Sequence, residues 1–415
     1  MSIKTQIKKL LGVKNQQRIK ALKGWVKYRK TRANWGRLEL KSDEWAEPVI
    51  YELPDKHLFF GYYDLQQIRG DKLLVTAVPR KAKTKKDAAQ LYWVDMPTGT
   101  YHMIGETRAW CWQQGARLRW HPTMENAVMY NDVEGERYVC RIVDFENGLL
   151  RTIPSALYDV TPDGRWGLSL NYARLQRLRP GYGYDTLPDA TLKEAVPEKD
   201  GIFLVDLESG EEKLIISYQT LAQAAPTAAG RLNYVNHISI APDGSRFLFF
   251  HLWTPAVGAR WSGRLYTAQL DGTDLRCVED GFIPSHYCWN GSDELLITSV
   301  GFGGSPSYYY QYRLTNGTRQ KIDHPRLVQD GHPTFYADGS RFLTDTYPLS
   351  GSMQKLFESD KEGAGQDICQ LYADPRLFEE KRCDLHPRLT PDNQVVTIDT
   401  TFRGGKRSVV VLRRR

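Results

Sequence analysis

From about residue 45 onward, short runs of alternating apolar and polar residues are separated by two kinds of turn. In the first kind, a Pro-Asp-Gly type turn precedes a β-rich run, as at residues 161–164, 241–244, 337–339 and 390–393. Pro presets φ at the first corner, Asp bonds its own backbone and Gly takes the positive φ. In the second kind, a polar turn ends at Gly99, Gly148, Gly210, Gly272 or Gly317. The pattern is typical of strands joined as hairpins.

The two turns recur at a spacing of roughly 40–60 residues, the length of one four-stranded propeller blade. Seven units begin near residues 48, 111, 156, 233, 283, 326 and 383. The last unit has room for about three strands, so we expect residues 48–53 to complete it and close the ring, which leaves no free sheet edge. The prediction is an all-β chain, a seven-bladed β-propeller over residues 46–415. Residues 175–200 and 352–382 are expected to be loops on one face.

Residues 1–45 are predicted to form a basic amphipathic N-terminal helical arm. Over residues 3–30 apolar positions recur at helical spacing between Lys and Arg, at Ile7, Leu10, Leu11, Ile19, Leu22, Trp25 and Val26. A basic helix of this kind that carries a Trp favours an anchor on an anionic membrane surface, through residues 1–32. The alternative is a solvated tail or an arm packed on the body.

The net charge of +7 is unevenly distributed. Residues 1–32 carry +11, so the remainder of the chain carries −4. A basic arm on a mildly acidic body is not the spread basic face of a nucleic-acid-binding protein, so no nucleic acid partner is expected.

The spacing of the cysteines and the length of the apolar runs bear on the cellular location of the protein. The six Cys form no C-x-x-C pair, and neither an N-terminal apolar signal region nor an 18-residue apolar run is present. These features predict free thiols in a reducing compartment. The expected location is the cytoplasm, peripherally on the inner face of the cell membrane.

The first segment rich in functional groups, residues 57–64, reads His-Leu-Phe-Phe-Gly-Tyr-Tyr-Asp. Aromatic rings around a Gly can stack on a sugar face, while hydroxyl and carboxylate groups bond the sugar hydroxyls. Tyr62 is therefore a candidate catalytic residue, and Tyr63 and Asp64 are candidate substrate ligands. The competing interpretation is a buried aromatic strand with a bulge.

The second segment, residues 171–184, holds three Arg and three Tyr around a Pro-Gly pair. Guanidinium groups pair with carboxylates through two hydrogen bonds, which predicts a carboxylate-binding loop. Arg174 and Tyr184 are candidate catalytic residues, and Arg179 and Tyr182 are candidate substrate ligands. The alternative is a solvated basic loop.

The third segment combines His237, His251 and Arg260 in one predicted blade. His237 precedes its Pro-Asp-Gly turn by five residues and so begins an inner strand. Two His and an Arg in one blade favour a site over a pair of buried core histidines. The two His are candidate catalytic residues, and Arg260 is a candidate substrate ligand.

The fourth segment places His286, His332 and His386 at similar offsets before the turns of consecutive units. Equivalent positions on neighbouring blades point toward the same axis. Three imidazoles with the thiolate of Cys383 would form a tetrahedral set suited to zinc, with manganese as the second choice of divalent metal. The alternative is that each His caps the turn of its own blade.

Segments three and four resemble the oligogalacturonate lyases, seven-bladed propeller enzymes that cleave uronate-containing oligosaccharides. The matching stretches are residues 237–244, 250–253, 264–266, 285–289 and 329–333. In that family a His at the counterpart of His286 and a Gln-x-x-His like Gln329 to His332 bind a divalent metal. The family's second metal His is Thr334 here, so the resemblance implies that Cys383 and His386 replace it.

The chain is also similar to ulvan lyases. Its strings F-F-G-Y-Y-D at residues 59–64, R-P-G-Y-G-Y at 179–184 and R-C-D-L-H-P-R at 382–388 resemble uncharacterised proteins of bacterial surface-polysaccharide clusters. These resemblances imply β-elimination on an acidic, uronate-containing oligo- or polysaccharide, in which the C5 proton leaves and the C4 glycosidic oxygen is expelled. The residues expected to act are His237 or His251 as base, Arg174, Arg179 or Arg260 on the carboxylate, and Tyr62 or Tyr184 as acid. Two alternatives remain: a glycosyltransferase or hydrolase of cytoplasmic surface-glycan assembly, and a non-catalytic glycan- or protein-binding propeller.

Overall fold

The fold was obtained as a computed structural model, which describes residues 13–301 and 305–415. The first twelve residues, with Ile7, Leu10 and Leu11 of the predicted amphipathic arm, lie outside the described residues. The described chain forms seven antiparallel sheets arranged as the blades of a β-propeller, which confirms the predicted fold class.

The strands follow one another blade by blade. Ahead of the first blade lie α1 (Val13–Lys30), β1 (Leu38–Leu40) and β2 (Val49–Tyr51). Blade one contains β3 (Lys56–Phe59), β4 (Ile68–Arg69), β5 (Lys72–Pro79), β6 (Ala89–Asp95) and β7 (Thr100–Thr107). Blade two contains β8 (Arg119–Trp120), β9 (Ala127–Glu134), β10 (Arg137–Asp144) and β11 (Gly148–Ile153). Blade three contains β12 (Asp159–Val160), β13 (Trp166–Leu170), β14 (Gly201–Asp206) and β15 (Glu212–Ser217), with α2 (Tyr172–Leu178) after its second strand.

The second half continues in the same order. After α3 (Tyr218–Ala224), blade four contains β16 (Leu232–Ile240), β17 (Arg246–Thr254), β18 (Ser262–Gln269) and β19 (Arg276–Glu279). Blade five contains β20 (Pro284–Asn290), β21 (Glu294–Ser299), β22 (Tyr309–Arg313) and β23 (Thr318–Ile322). Blade six contains β24 (Thr334–Phe335), β25 (Arg341–Asp345), β26 (Met353–Asp360) and β27 (Asp367–Tyr372). Blade seven contains β28 (Arg388–Leu389), β29 (Val395–Thr400) and β30 (Ser408–Arg413). Short 3-10 helices lie at Arg32–Asn34, Pro226–Ala228, Pro325–Leu327, Ser350–Ser352 and Glu379–Lys381.

The ring closes as its apolar pattern predicts. Strand β2 pairs antiparallel with β30 and becomes the outer strand of blade seven, with Ile50 opposite Val410. The side chain of Tyr51 is buried, and its hydroxyl donates to the Met96 carbonyl of blade one at 3.3 Å. The closure therefore joins the first and last blades through both backbone and side-chain contacts.

The structure differs from the sequence-based prediction in two segments of blade six. Residues 38–40, placed in the N-terminal arm by sequence, form β1 and add a fifth strand to blade six, where Leu38 lies opposite Leu371. The prediction that residues 352–382 form a loop is wrong over β26 and β27, whose buried positions complete the same sheet. A long turn-rich segment does follow α2 up to residue 200.

None of the helices in the described ranges has the length and apolar character needed to cross a bilayer.

Candidate active site

Four histidines converge where the first strands of blades four to seven meet the propeller axis. His237 and His286 lie at register shifts in β16 and β20, where an extra residue re-aims the side chain. His332 and His386 lie two residues before β24 and β28. His237 and His386 take positive φ values of 56° and 47°, a backbone state that costs energy outside Gly and clusters at functional sites.

Tyr62, from the turn after β3, lies at the centre of this cluster. Its ring centroid is 4.8 Å from that of His386, 5.1 Å from His237, 6.2 Å from His332 and 6.3 Å from His286. The His286 and His332 rings are 4.1 Å apart, and those of His332 and His386 are 4.5 Å apart. All five side chains are buried. One residue from blade one and one from each of blades four to seven thus share a single axial site.

Three of the imidazoles are held by their Nδ1 atoms. His286 Nδ1 lies 2.9 Å from Asp330 Oδ1, and His332 Nδ1 lies 2.8 Å from Asp345 Oδ1. His386 Nδ1 lies 2.7 Å from the Gly61 carbonyl. A carboxylate or carbonyl on one ring nitrogen fixes the tautomer with hydrogen there and leaves Nε2 as an acceptor, the usual state of a metal-bound His.

A carboxylate joins the last two rings. One ligand atom from each of His332, Asp384 and His386 lies within 4.8 Å of the other two. Asp384 is itself held by Arg382, whose Nε and Nη2 donate to it at 2.8 and 2.7 Å. His386 Nε2 is buried without a hydrogen-bond partner. Two imidazoles and a carboxylate of this kind could hold a divalent cation, with His286 adjacent to them.

Burial and neighbouring charges set the protonation of the cluster. Burial, followed by the charges of His286 and Arg179, places the pKa of His237 well below its usual value. Burial likewise lowers the pKa of His286 and of His386. Burial opposes the charged form of His332 too, but the Asp345 carboxylate outweighs it and raises the His332 pKa. A neutral His237 is therefore available as a proton acceptor near neutral pH.

His237 is also engaged in a buried polar chain. Its Nε2 lies 3.5 Å from Tyr62 Oη and 3.1 Å from Asn236 Nδ2. Tyr158 donates to Asn236 Oδ1 at 3.1 Å and accepts from the His237 amide at 3.0 Å. The other ring nitrogen, Nδ1, is buried without a partner. Nδ1 is therefore the atom of His237 that can contact a ligand.

A small cavity adjoins this cluster. Its lining includes His237 and His286 at the base and the partly exposed Arg179, Trp261 and Tyr347 at the mouth. The Arg179 guanidinium lies 5.1 Å from the Tyr182 ring and 4.5 Å from the Trp261 ring. The cavity volume is about 20 Å³, room for a single water molecule. A sugar ring can therefore enter only if side chains at the mouth rotate.

Comparison with solved structures identifies the same architecture. One oligogalacturonate lyase, solved in complex with manganese, superposes with a TM-score of 0.65 at 17% identity, over 91% of this chain and 96% of that one. A second, from Vibrio parahaemolyticus, gives a TM-score of 0.62 at 16% identity, over the same shares of the two chains. The fold is that of an oligogalacturonate lyase. No protein-family model matches the chain, and no curated protein does.

Within this lyase fold, some candidates from the sequence lie away from the axial site. His251 faces the interior of blade four, where its Nε2 is 2.6 Å from Asn233 Oδ1. Arg174 is fully buried and donates to the carbonyls of Asn233 and Ala195 at 2.6 and 2.8 Å, so it holds the long segment after α2. Tyr184 stacks on Tyr172 with centroids 4.3 Å apart. None of these three residues is positioned to contact a ligand in the axial cavity.

Three further candidates also have other contacts. Asp64 accepts two hydrogen bonds from Arg117, at 3.0 and 2.9 Å, and this buried pair joins blades one and two. The Tyr63 hydroxyl donates to the Tyr287 carbonyl at 2.7 Å and accepts from the Tyr287 amide at 2.9 Å. Arg260 is exposed in the turn between β17 and β18. Tyr63 and Asp64 therefore stabilise the structure around the site through these contacts.

Cys383 does not join the group formed by His332, Asp384 and His386. It lines the groove beneath α1 instead, and burial raises the pKa of its thiol to about 12. Its neighbour Asp384 occupies the position that sequence reasoning gave to the thiolate. Gln329 is exposed, whereas the adjacent Asp330 holds His286.

Sequence reasoning missed the carboxylates that support the histidines. Asp384 and His386 are two residues apart, but the left-handed backbone at His386 that brings them together carries no signal in the sequence. The turn at residues 337–339 pairs Thr334 with Leu343, and the same register places His332 opposite Asp345. Asp330 carries no comparable signal, because it reaches His286 from a loop of the next blade.

Buried neutral histidines outside the site predict acid sensitivity. Burial lowers the pKa of His57 to about 4 and that of His251 to about 3. The unfolded chain takes up these protons near pH 6.5 while the folded chain does not, so stability falls as the pH drops below that value. Each group is expected to reduce the unfolding free energy by about 2 kcal/mol between pH 7 and pH 5.

Urea denaturation at the two pH values measures this loss. The variant His251→Asn should lose less stability on acidification than the parent protein. His102→Asn, at an exposed residue, is the matched control and should retain the parent's pH dependence. An unchanged pH dependence in His251→Asn would contradict the buried neutral imidazole.

Proposed function

We propose that the chain is a polysaccharide lyase that cleaves a uronate-containing oligosaccharide by β-elimination. One observation carries the proposal: His237, His286, His332 and His386 meet around Tyr62 on the axis of an oligogalacturonate-lyase fold. The chemistry needs a base near neutral pH, a proton donor and positive charge beside a carboxylate. The axial cluster and the cavity beside it include candidates for all three.

The donor set supports a divalent metal. His332, Asp384 and His386 would hold it, with His286 as a further ligand, because the Nδ1 atoms of all three His are anchored and His386 Nε2 lacks a partner. When bound, such an ion supplies positive charge that stabilises a uronate carboxylate as negative charge develops. A carboxylate in place of the thiolate of Cys383 favours a harder ion, so we expect manganese over zinc. A similar lyase was solved with manganese.

His237 is the proposed base. It is neutral near pH 7, and its Nδ1 has no protein partner. Nδ1 can accept a proton when the ring hydrogen lies on Nε2, beside Tyr62 Oη and the Asn236 amide. This state requires Asn236 to turn its amide oxygen toward the ring. Gln114 Nε2 and Tyr158 now donate to Asn236 Oδ1, so Gln114 must turn its own amide as well, and its oxygen, which lacks a partner, then accepts from Asn236 and Tyr158.

Arg179 and Tyr62 complete the elimination. The Arg179 guanidinium at the mouth pairs with the uronate carboxylate, and Tyr182 beside it offers a stacking surface. His237 takes the C5 proton, the electron pair forms the C4–C5 double bond, and the C4–O bond breaks. Tyr62, whose pKa burial raises well above its usual value, is neutral and gives its proton to the leaving oxygen. The contact between His237 Nε2 and Tyr62 Oη then returns a proton to the tyrosine.

Ultraviolet absorbance of the unsaturated product tests this proposal. Purified protein with manganese is incubated with trigalacturonate and, separately, with the neutral trisaccharide of galactose. We expect the absorbance of a conjugated double bond to rise only with the uronate. Binding of trigalacturonate without any rise would instead indicate a non-catalytic glycan-binding propeller.

The proposed setting is bacterial surface-polysaccharide metabolism. Its support is the similarity of residues 59–64, 179–184 and 382–388 to proteins of such gene clusters. An acidic capsular or exopolysaccharide fragment is the corresponding substrate class.

A further inference from the structure

Helix α1 presents four large apolar side chains to solvent. Ile19, Leu22 and Val26 follow the spacing of three and four residues that places them on one side of a helix, and Trp25 lies beside them. Their exposed fractions are 38%, 65%, 46% and 51% in that order. A contiguous apolar surface of this kind on a folded protein indicates a binding partner.

The opposite side of α1 is fixed to the propeller. Gly24 lies so close to the loop after β27 that an added Cβ would be 2.7 Å from the Pro375 carbonyl oxygen. The guanidinium carbon of Arg376 lies 3.8 Å from the Tyr28 ring and 5.1 Å from the ring of Trp25, at the edge of the exposed apolar side, and the hydroxyls of Thr31 and Tyr372 are 3.3 Å apart. Helix α1 therefore docks through Gly24 and Tyr28. Its apolar side faces outward because of this docking.

The positive charge of α1 indicates which kind of partner binds its apolar side. The helix contains seven Lys and Arg and no acidic residue, and the segment before residue 13 adds three Lys. Basic residues that flank an apolar stripe with a Trp complement anionic lipid headgroups. Two copies of this arm would repel each other, since residues 1–32 carry +11.

We propose that α1 docks the propeller on an anionic membrane surface. Ile19, Leu22, Trp25 and Val26 enter the boundary between headgroups and acyl chains. The exposed Arg18 and Arg29, four residues before Leu22 and four after Trp25 on the same side of the helix, contact lipid phosphates. The docking holds the catalytic propeller at the membrane instead of free in solution. It corresponds to the sequence-based expectation of a peripheral protein on the inner face of the cell membrane.

Vesicle cosedimentation of the full chain tests the proposal. One set of vesicles contains phosphatidylcholine alone, and the other contains equal parts of phosphatidylcholine and phosphatidylglycerol. We expect binding to the second set, weakened by salt, and little binding to the first. Leu22→Glu should reduce the partition coefficient about tenfold, because it removes an inserted apolar group and adds a negative charge. The double variant Arg18→Glu, Arg29→Glu should reduce it by at least as much.

Leu192→Glu is the matched control. Leu192 is exposed to 59% in the segment after α2, so the same substitution changes charge and hydropathy equally at a distant surface. It should bind anionic vesicles as the parent does. Equal binding by Leu22→Glu and the parent would overturn the proposal. A parent protein that does not bind anionic vesicles would also overturn it, and so would one that light scattering shows to dimerise through α1 without binding them.

Discussion

Alanine at His237 is expected to lower the turnover of trigalacturonate by about a thousandfold, the range of an essential general base. His237 lines the axial cavity, and its Nδ1 is buried without a partner on an imidazole whose pKa burial holds well below its usual value. Its removal also breaks the contact that returns a proton to Tyr62. Initial rates from product absorbance measure the effect, and substrate binding should change much less than turnover.

His251→Ala provides the comparison within the same blade. His251 bonds Asn233 inside blade four and does not line the cavity, so we expect lower stability but turnover close to that of the parent. Turnover that survives in His237→Ala and disappears in folded His251→Ala would reverse the assignment of the base.

Loss of the proposed metal is the second large effect. His332→Ala removes an imidazole with a ligand atom within 4.8 Å of those of Asp384 and His386. We expect the affinity for manganese to fall by more than a hundredfold. Asp345→Asn leaves the imidazole in place but weakens its support on Nδ1, so a loss of about 10–100-fold is expected. Metal content after gel filtration, measured by mass spectrometry, checks both variants, with turnover measured in parallel.

Cys383→Ser separates the two possible ligand sets. The thiol lies in the groove beneath α1, outside the group that contains Asp384. Metal content and turnover should therefore stay at the parent's values. A Cys383→Ser protein that loses its metal while Asp384→Asn retains it would restore the thiolate ligand.

The fold could be predicted because each blade repeats the same local signals. Turns that need Asp and Gly recur at similar intervals, and the last unit has room for only about three strands, so the apolar run at residues 48–53 is left to complete it. The convergence of His237, His286, His332 and His386 follows from the same repeat, since similar offsets from the turns place residues at equivalent positions around the axis.

Which side chains of these segments face the axis depends on features that have no local signal in the sequence. Residues 383 and 384 point to opposite sides of the chain, and only the positive φ at His386 and the contact with Arg382 show which side faces the axis. In β17, Phe250 and Leu252 line the cavity, so the intervening His251 must face away.

The basic segment around α2 illustrates a second limit. Its composition is that of a substrate-binding loop, yet α2 turns Arg174 inward to bind backbone carbonyls, and only Arg179 remains at the cavity mouth. Whether an arginine supports a loop or meets a ligand is decided by tertiary packing, which residue type does not reveal.

Diffraction from crystals soaked in manganese tests the central claim most directly. An anomalous difference map should show one peak on the propeller axis, within coordination distance of His332 Nε2, His386 Nε2 and an Asp384 oxygen. A map without that peak, or with manganese bound only at surface carboxylates, would contradict the proposed metal-assisted lyase site.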